Sequence, residues 1–111
     1  MWTKCQIKVL GEVKSGVSMS GNEWVRQNCV LAWVELDGNG QPLKDQTGKD
    51  VVSNAQFDLG KNRIDELSTI GAQVGSQVWA DIRCRTESKY SQRGNAYLSN
   101  NVYVAQFARI Q

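Results

Sequence analysis

Residues 51–85 read VVSNAQFDLGKNRIDELSTIGAQVGSQVWADIRCR, and two changes of period inside this stretch decide the fold. Val51 to Leu59 alternates, with Val51, Ser53, Ala55 and Phe57 on one side and Val52, Asn54, Gln56 and Asp58 on the other. That two-residue repeat is a strand. From Lys61 to Ile70 the repeat lengthens: Ile64, Leu67 and Ile70 fall at helical spacing and Gly71 supplies a stop. One short helix is therefore predicted over 61–70. Ser76 to Arg85 alternates again, with Val78, Ala80, Ile82 and Cys84 predicted inward and Trp79, Asp81, Arg83 and Arg85 outward.

Working outward, Thr3, Cys5, Ile7 and Val9 alternate with Lys4, Gln6 and Lys8, which predicts a half-buried first strand. Lys14 to Asn22 is a small-residue stretch that reads as a hairpin tip. Trp24 to Leu36 is the richest strand candidate, long enough to bend and serve both sides of a barrel. Asp37 to Asp50 is dense in turn residues and is read as the least ordered connection. A second polar tip is predicted from Thr86 to Ala96, followed by a last strand over Tyr97 to Ile110. The order is β-β-β-α-β-β. A chain of 111 residues with this order predicts one mainly β domain over 1–111. The expected architecture is a five-stranded Greek-key OB-fold barrel with one short helix between strands 3 and 4. A β-sandwich would want more strands.

Composition narrows the function. The chain has no histidine, no Cys-x-x-Cys pair and no phosphate-binding glycine loop, since Gly48-Lys49 is followed by Asp50 and Leu43 stands where the upstream glycine is needed. No metal, cofactor or enzymatic activity is expected. Asp65-Glu66 reads as a solvated helix face, not an acid–base pair in a cleft. Cys5, Cys29 and Cys84 sit in strand-like alternation and are expected as reduced core thiols. No apolar run reaches a bilayer-spanning length and the first residues lack a signal-peptide pattern, so a cytoplasmic protein is expected. The net charge is only +2. Its distribution is uneven: the two ends are basic and the middle is acidic. In a barrel that brings both ends together the cations would merge into one surface.

The two tips share a pattern. Ser20-Gly21-Asn22-Glu23-Trp24 and Arg93-Gly94-Asn95-Ala96-Tyr97 both place Gly-Asn, one spacer and an aromatic at the start of a returning strand. In an OB-fold these loops flank the groove that takes oligonucleotides and oligosaccharides. The second side interleaves cations with rings: Arg83, Arg85, Lys89, Tyr90, Arg93 and Tyr97. Lys14, Trp24 and Arg26 form the matching set, and Lys4 and Lys8 extend it. Cations track phosphates while flat rings accept unpaired bases. Trp79 alternates outward and joins the set unless a helix or a partner subunit covers it; Trp33, in apolar company, is assigned to the core.

Ser15-Gly16-Val17-Ser18, Gly21-Asn22-x-Trp24 and Gln27 resemble the first hairpin of small single-stranded-DNA-binding OB-fold proteins, the group of phage helix-destabilising proteins and short relatives of bacterial single-stranded DNA-binding protein. The resemblance extends over the chain in element order but is residue-level only at this hairpin. It implies sequence-tolerant coating of single-stranded DNA during replication, recombination or mobile-element metabolism, with RNA as a further ligand. The typical bacterial protein carries a long disordered tail ending in acidic and aromatic residues; this chain stops at Phe107-Ala108-Arg109-Ile110-Gln111, an ending expected of a minimal coating protein or an accessory primosome-type OB subunit. The rival expectation is an OB-fold protein-interaction module of the primosome-accessory kind, with Trp2, Trp24 and Trp79 as contact residues. Self-association as a dimer or tetramer is expected, with the long second strand offering an edge.

Overall fold

The computed structural model describes residues 2–110; Met1 and Gln111, which bound the two ends read above, lie outside it. Six strands and one helix follow in the order β1 (Trp2–Leu10), β2 (Lys14–Val17), β3 (Glu23–Val34), β4 (Val52–Leu59), α1 (Lys61–Ile70), β5 (Gln77–Tyr90) and β6 (Ala96–Arg109). All ladders are antiparallel. The path β2-β3-β1-β5-β6 forms the sheet, with β4 on the other edge of β3.

Six strands replace the expected five because the first one is broken. β1 and β2 pair in succession along the same edge of β3, β1 against 29–32 and β2 against 23–26. Between them Gly11 donates its N–H to the Asn28 carbonyl at 2.8 Å and accepts from the Gln27 side chain at 2.8 Å. The other edge of β3 carries β4. The long strand is thus internal over 29–32, between β1 and β4, while 23–26 pair only β2 and 33–34 only β4.

The sheet is not closed by hydrogen bonds, since β4 and β6 do not pair. Helix α1 stands at that seam and packs on β6, β3 and β4. Leu67 is buried beneath it, with Ile64 and Ile70 against the core, as the helical spacing predicts. Gly71 ends the helix at φ +76° and donates to the Ser68 carbonyl, the left-handed cap that glycine adopts without penalty. Glu66 is not a solvated carboxylate. Its Oε1 accepts the Phe107 backbone N–H at 3.0 Å and meets Arg63 Nε at 3.1 Å. A helix side chain thereby satisfies a buried strand donor that has no strand partner. The core lies on one side of the sheet and centres on Ile7, Leu31, Leu59, Val78 and Phe107, with Cys5 and Cys29 among them.

Two bulges redirect side chains. In β1, Ile7 faces Leu31 and Val9 faces Val30, so Lys8 is the extra residue and Val9 turns outward, 50% exposed. In β6 the extra residue is Ala105, between Val104 opposite Ile82 and Gln106 opposite Asp81. Among the described residues β1 pairs β5 as far as Asp81. Ile82 and Val104 still pack on the core; beyond them 83–90 and 96–103 run on as a two-stranded arm, where a polar tip is expected from the sequence. Cys84, expected in the core, is exposed because the arm has left it. The molecule measures 51 × 39 × 20 Å, with a radius of gyration of 16.8 Å, against about 13 Å for a compact domain of this length.

One turn is used four times. Ser18–Asn22, Asp37–Gln41, Asp45–Lys49 and Ser91–Asn95 each close with the first N–H on the fifth carbonyl at 2.8 Å and the fourth N–H back on the first carbonyl. The fourth residue is Gly21, Gly40, Gly48 or Gly94, at φ +79° to +84°. The first side chain accepts the fifth N–H in every case. This is the three-residue hairpin loop with glycine in the left-handed position. The connection 37–50 is consequently two ordered hairpin turns.

Candidate nucleic-acid interface

Directly opposed residues in an antiparallel ladder share a side of the sheet. Lys14 faces Arg26 and Gly16 faces Trp24. Gln6 faces Ala32 and Lys4 faces Trp79. Further along β5, Arg83 faces Tyr103, Arg85 faces Asn101 and Lys89 faces Tyr97. By strand phase Lys4, Lys14, Trp24, Arg26, Trp79, Arg83, Arg85, Lys89 and Tyr97 all lie on the side away from the core. Every one is exposed.

Three parts of this outer side have distinct chemistry. On the first hairpin the Trp24 indole lies over Gly16: a Cβ there would fall 2.6 Å from Cζ2. One ring face is seated on bare backbone while 38% of the residue stays exposed. Lys14 and Arg26 flank it, above a small cleft that also takes in Glu12, Gln27 and Asn28. In the middle, a half-open trough of about 840 Å³ is lined by Trp2, Lys4 and Trp79, with Trp33 at its margin, and reached by Lys8. Its far wall is the double hairpin, which contributes Glu35, Asp37, Pro42 and Asp50. Glu35 holds the Trp33 indole N–H at 3.1 Å, and Trp33 packs its ring on the core.

The third part is the arm. Arg83 donates from Nε and Nη2 to Asp81 Oδ2 at 3.1 and 2.9 Å. That hydrogen bond, reinforced by the opposite charge, pushes the Arg83 pKa above its already high ordinary value. Arg85 lies over the Tyr103 ring, 5.1 Å from its centroid, a cation–π distance, and reaches Glu87 at 3.6 Å. Asp81, predicted outward, is 6% exposed.

Two predicted residues do not join this side. Tyr90 faces Ala96, on the reverse of the arm, and Arg93 sits in the Ser91–Asn95 turn. Tyr103 and the trough position of Trp2 are additions. Tyr103 has the same strand phase as Tyr97, the signal that would have found it. The thiols are not reactive centres of the core: burial pushes Cys29 up to about 11, and burial together with Cys29 does the same for Cys5. Among the described residues no cluster of cysteine and carboxylate ligands is placed to hold a metal ion, and no helix is long and apolar enough to cross a membrane. No protein-family model matches the chain, and the curated proteins contain no match to it.

Proposed function

We propose that the chain is an open variant of the OB-fold barrel that binds single-stranded DNA without base specificity. The observation that carries this reading is the strand phase: cations and flat rings alternate on one exposed side of the sheet, from Lys14 and Trp24 through Lys4 and Trp79 to Lys89 and Tyr97. Phosphates need the first chemistry and unpaired bases the second. The strand order and the helix between β4 and β5 support the barrel assignment, with the seam bridged by Glu66 in place of a ladder. Acids already hold Arg83 and Arg85, so Lys14, Arg26 and Lys89 are the cations freest to meet phosphate.

The trough favours a second use. Its lysines face an acidic wall of Glu35, Asp37 and Asp50 over an indole floor, and an acidic wall repels phosphate. That part suits a protein segment better than a polynucleotide. Tryptophan fluorescence during titration with oligo-dT, an equal-length duplex and poly-U, at several salt concentrations, separates the two uses. Quenching by single strands with a steep salt slope supports the DNA reading. No response at low salt to any nucleic acid overturns it and leaves the trough as the functional surface.

A further inference from the structure

Glu35 is the half-buried carboxylate of the trough wall; Asp37 and Asp50 are exposed. Its Oε1 accepts the Trp33 indole N–H, and among the described residues no cation pairs with it. Asp37 likewise uses Oδ1 within its own turn, for the N–H groups of Asn39 and Gln41. Each of these two carboxylates keeps a second oxygen that takes no donor from the described residues. The indoles of the same trough are open as well. Trp2 is 45% and Trp79 37% exposed, and among the described residues no cation lies over either ring.

We propose that the trough takes one arginine side chain from an extended segment of another protein, its guanidinium laid on an indole and donating to Glu35 and Asp37. This rests on the second use stated above and not on DNA binding. Charge sets the sign. Lys4 and Lys8, across the trough, are exposed and well screened, whereas a half-buried carboxylate is screened much less. A cation therefore gains more beside Glu35 than an acid gains beside the lysines. Hydrogen bonding sets the group. A guanidinium is flat, holds five N–H donors in a rigid fork and is more weakly hydrated than an ammonium. It can stack on an indole and bond two carboxylates at once. Leu36 and Val52, both exposed, line the trough and match the methylenes of the arginine stem.

Size agrees with one side chain and a short length of its backbone. The trough holds about 840 Å³, within the roughly 300–1,000 Å³ of ligand pockets, and its half-open shape admits a segment from the side. Lys4 and Lys8 narrow the partner further. They repel additional cations, so the segment carries its arginine singly, among neutral or acidic neighbours.

Blocked Gly-Ala-X-Ala-Gly peptides with arginine, citrulline, lysine or glutamate at X test this on the full chain. Two-dimensional NMR reads binding at the indole N–H signals, assigned with Trp→Phe variants. At millimolar peptide, arginine should move the Trp33 and Trp79 signals and leave Trp24, which lies on the first hairpin outside the trough. Citrulline, the uncharged isostere, should bind at least about tenfold more weakly, and lysine several-fold more weakly. Glu35→Gln keeps an acceptor for the Trp33 N–H but loses the charge. It should weaken arginine binding at least about tenfold with an unchanged urea melt. Citrulline or lysine binding as well as arginine, or undiminished arginine binding to Glu35→Gln, overturns the proposal. Preference for glutamate also overturns it and assigns recognition to Lys4 and Lys8, with the trough still a site for protein segments. Trough signals that stay still with every peptide sink that second use together with the arginine. The oligo-dT titration decides DNA binding separately.

Discussion

One methyl group at Gly16 tests the seat of Trp24. In Gly16→Ala the new Cβ would lie 2.6 Å from Cζ2, 2.8 Å from Cε2 and 3.0 Å from Nε1 of the indole, well inside the roughly 3.5 Å at which carbon atoms rest. The ring has to swing off the hairpin. Stability then receives two opposed contributions. Alanine in a strand gains about 0.5–1 kcal/mol over glycine. Uncovering on the order of 40 Å² of ring face costs about 1 kcal/mol at ~25 cal/mol per Å². The melt should barely move. Binding should move, because a base stacked on a ring is worth about 1–3 kcal/mol, a loss of roughly five- to 150-fold in affinity. The assay is paired: urea melts for stability and fluorescence titration with oligo-dT for binding. Trp24→Ala should lose as much, and the double variant no more than either single one. Wild-type affinity with full quenching in Gly16→Ala would refute the reasoning.

Glu66→Ala strands the buried Phe107 N–H and should cost about 1–3 kcal/mol in a urea melt, while Glu66→Gln, which keeps an acceptor, should cost visibly less; equal losses would show that the hydrogen bond is not the cause. Lys89→Gln should reduce the salt slope of single-strand binding by about 0.7, and Arg83→Gln by less, since Asp81 already holds that guanidinium. Native protein treated with a thiol reagent should be modified at Cys84 and spared at Cys5 and Cys29, read by mass spectrometry. The two buried thiols have folded pKa values raised to about 11. Their contribution to stability is complete below the ordinary thiol pKa and is lost as pH rises through about 9 toward 11. Cys29→Ala should flatten that alkaline loss in pH-dependent melts.

The fold was legible where burial enforces a period. The helix falls on 61–70 and Gly71 ends it, because Ile64, Leu67 and Ile70 must all reach one core. β4 alternates as read because Phe57 and Leu59 have a fixed inside. Legibility failed where one residue shifts the phase. Nothing in Ile7-Lys8-Val9 announces a bulge, yet it turns Val9 outward. Nor does composition reveal that β5 outruns β1, which exposes Cys84. In the candidate site, residue type is legible and side only where strand phase holds. Alternation sets the exposed side of Trp24 and Tyr97, whereas the turn at Ser91–Asn95 fixes the register that puts Tyr90 and Tyr97 on opposite sides. The Gly-Asn pair was the wrong signature for the tips. The same turn forms before Gln41 and Lys49, and the shared feature is Ser or Asp three residues before glycine.

β1 joins the two halves of the sheet, and this sets the order in which the chain can be assembled. The β2–β3 and β5–β6 hairpins each close over their own turn, an event of about 1–10 μs. The β1–β5 ladder instead joins residues 2–6 to 77–81, so a long loop must close before any contact offsets its entropy. During synthesis β1 can settle on β3 once residue 34 is free, but its other edge waits for residue 81. At about 5–20 residues per second that is an interval of a few seconds. For that time Trp2–Gln6 is a strand with one edge unpaired, open to any neighbouring strand. The vulnerable period of this protein belongs to its birth, and its length is set by the ribosome.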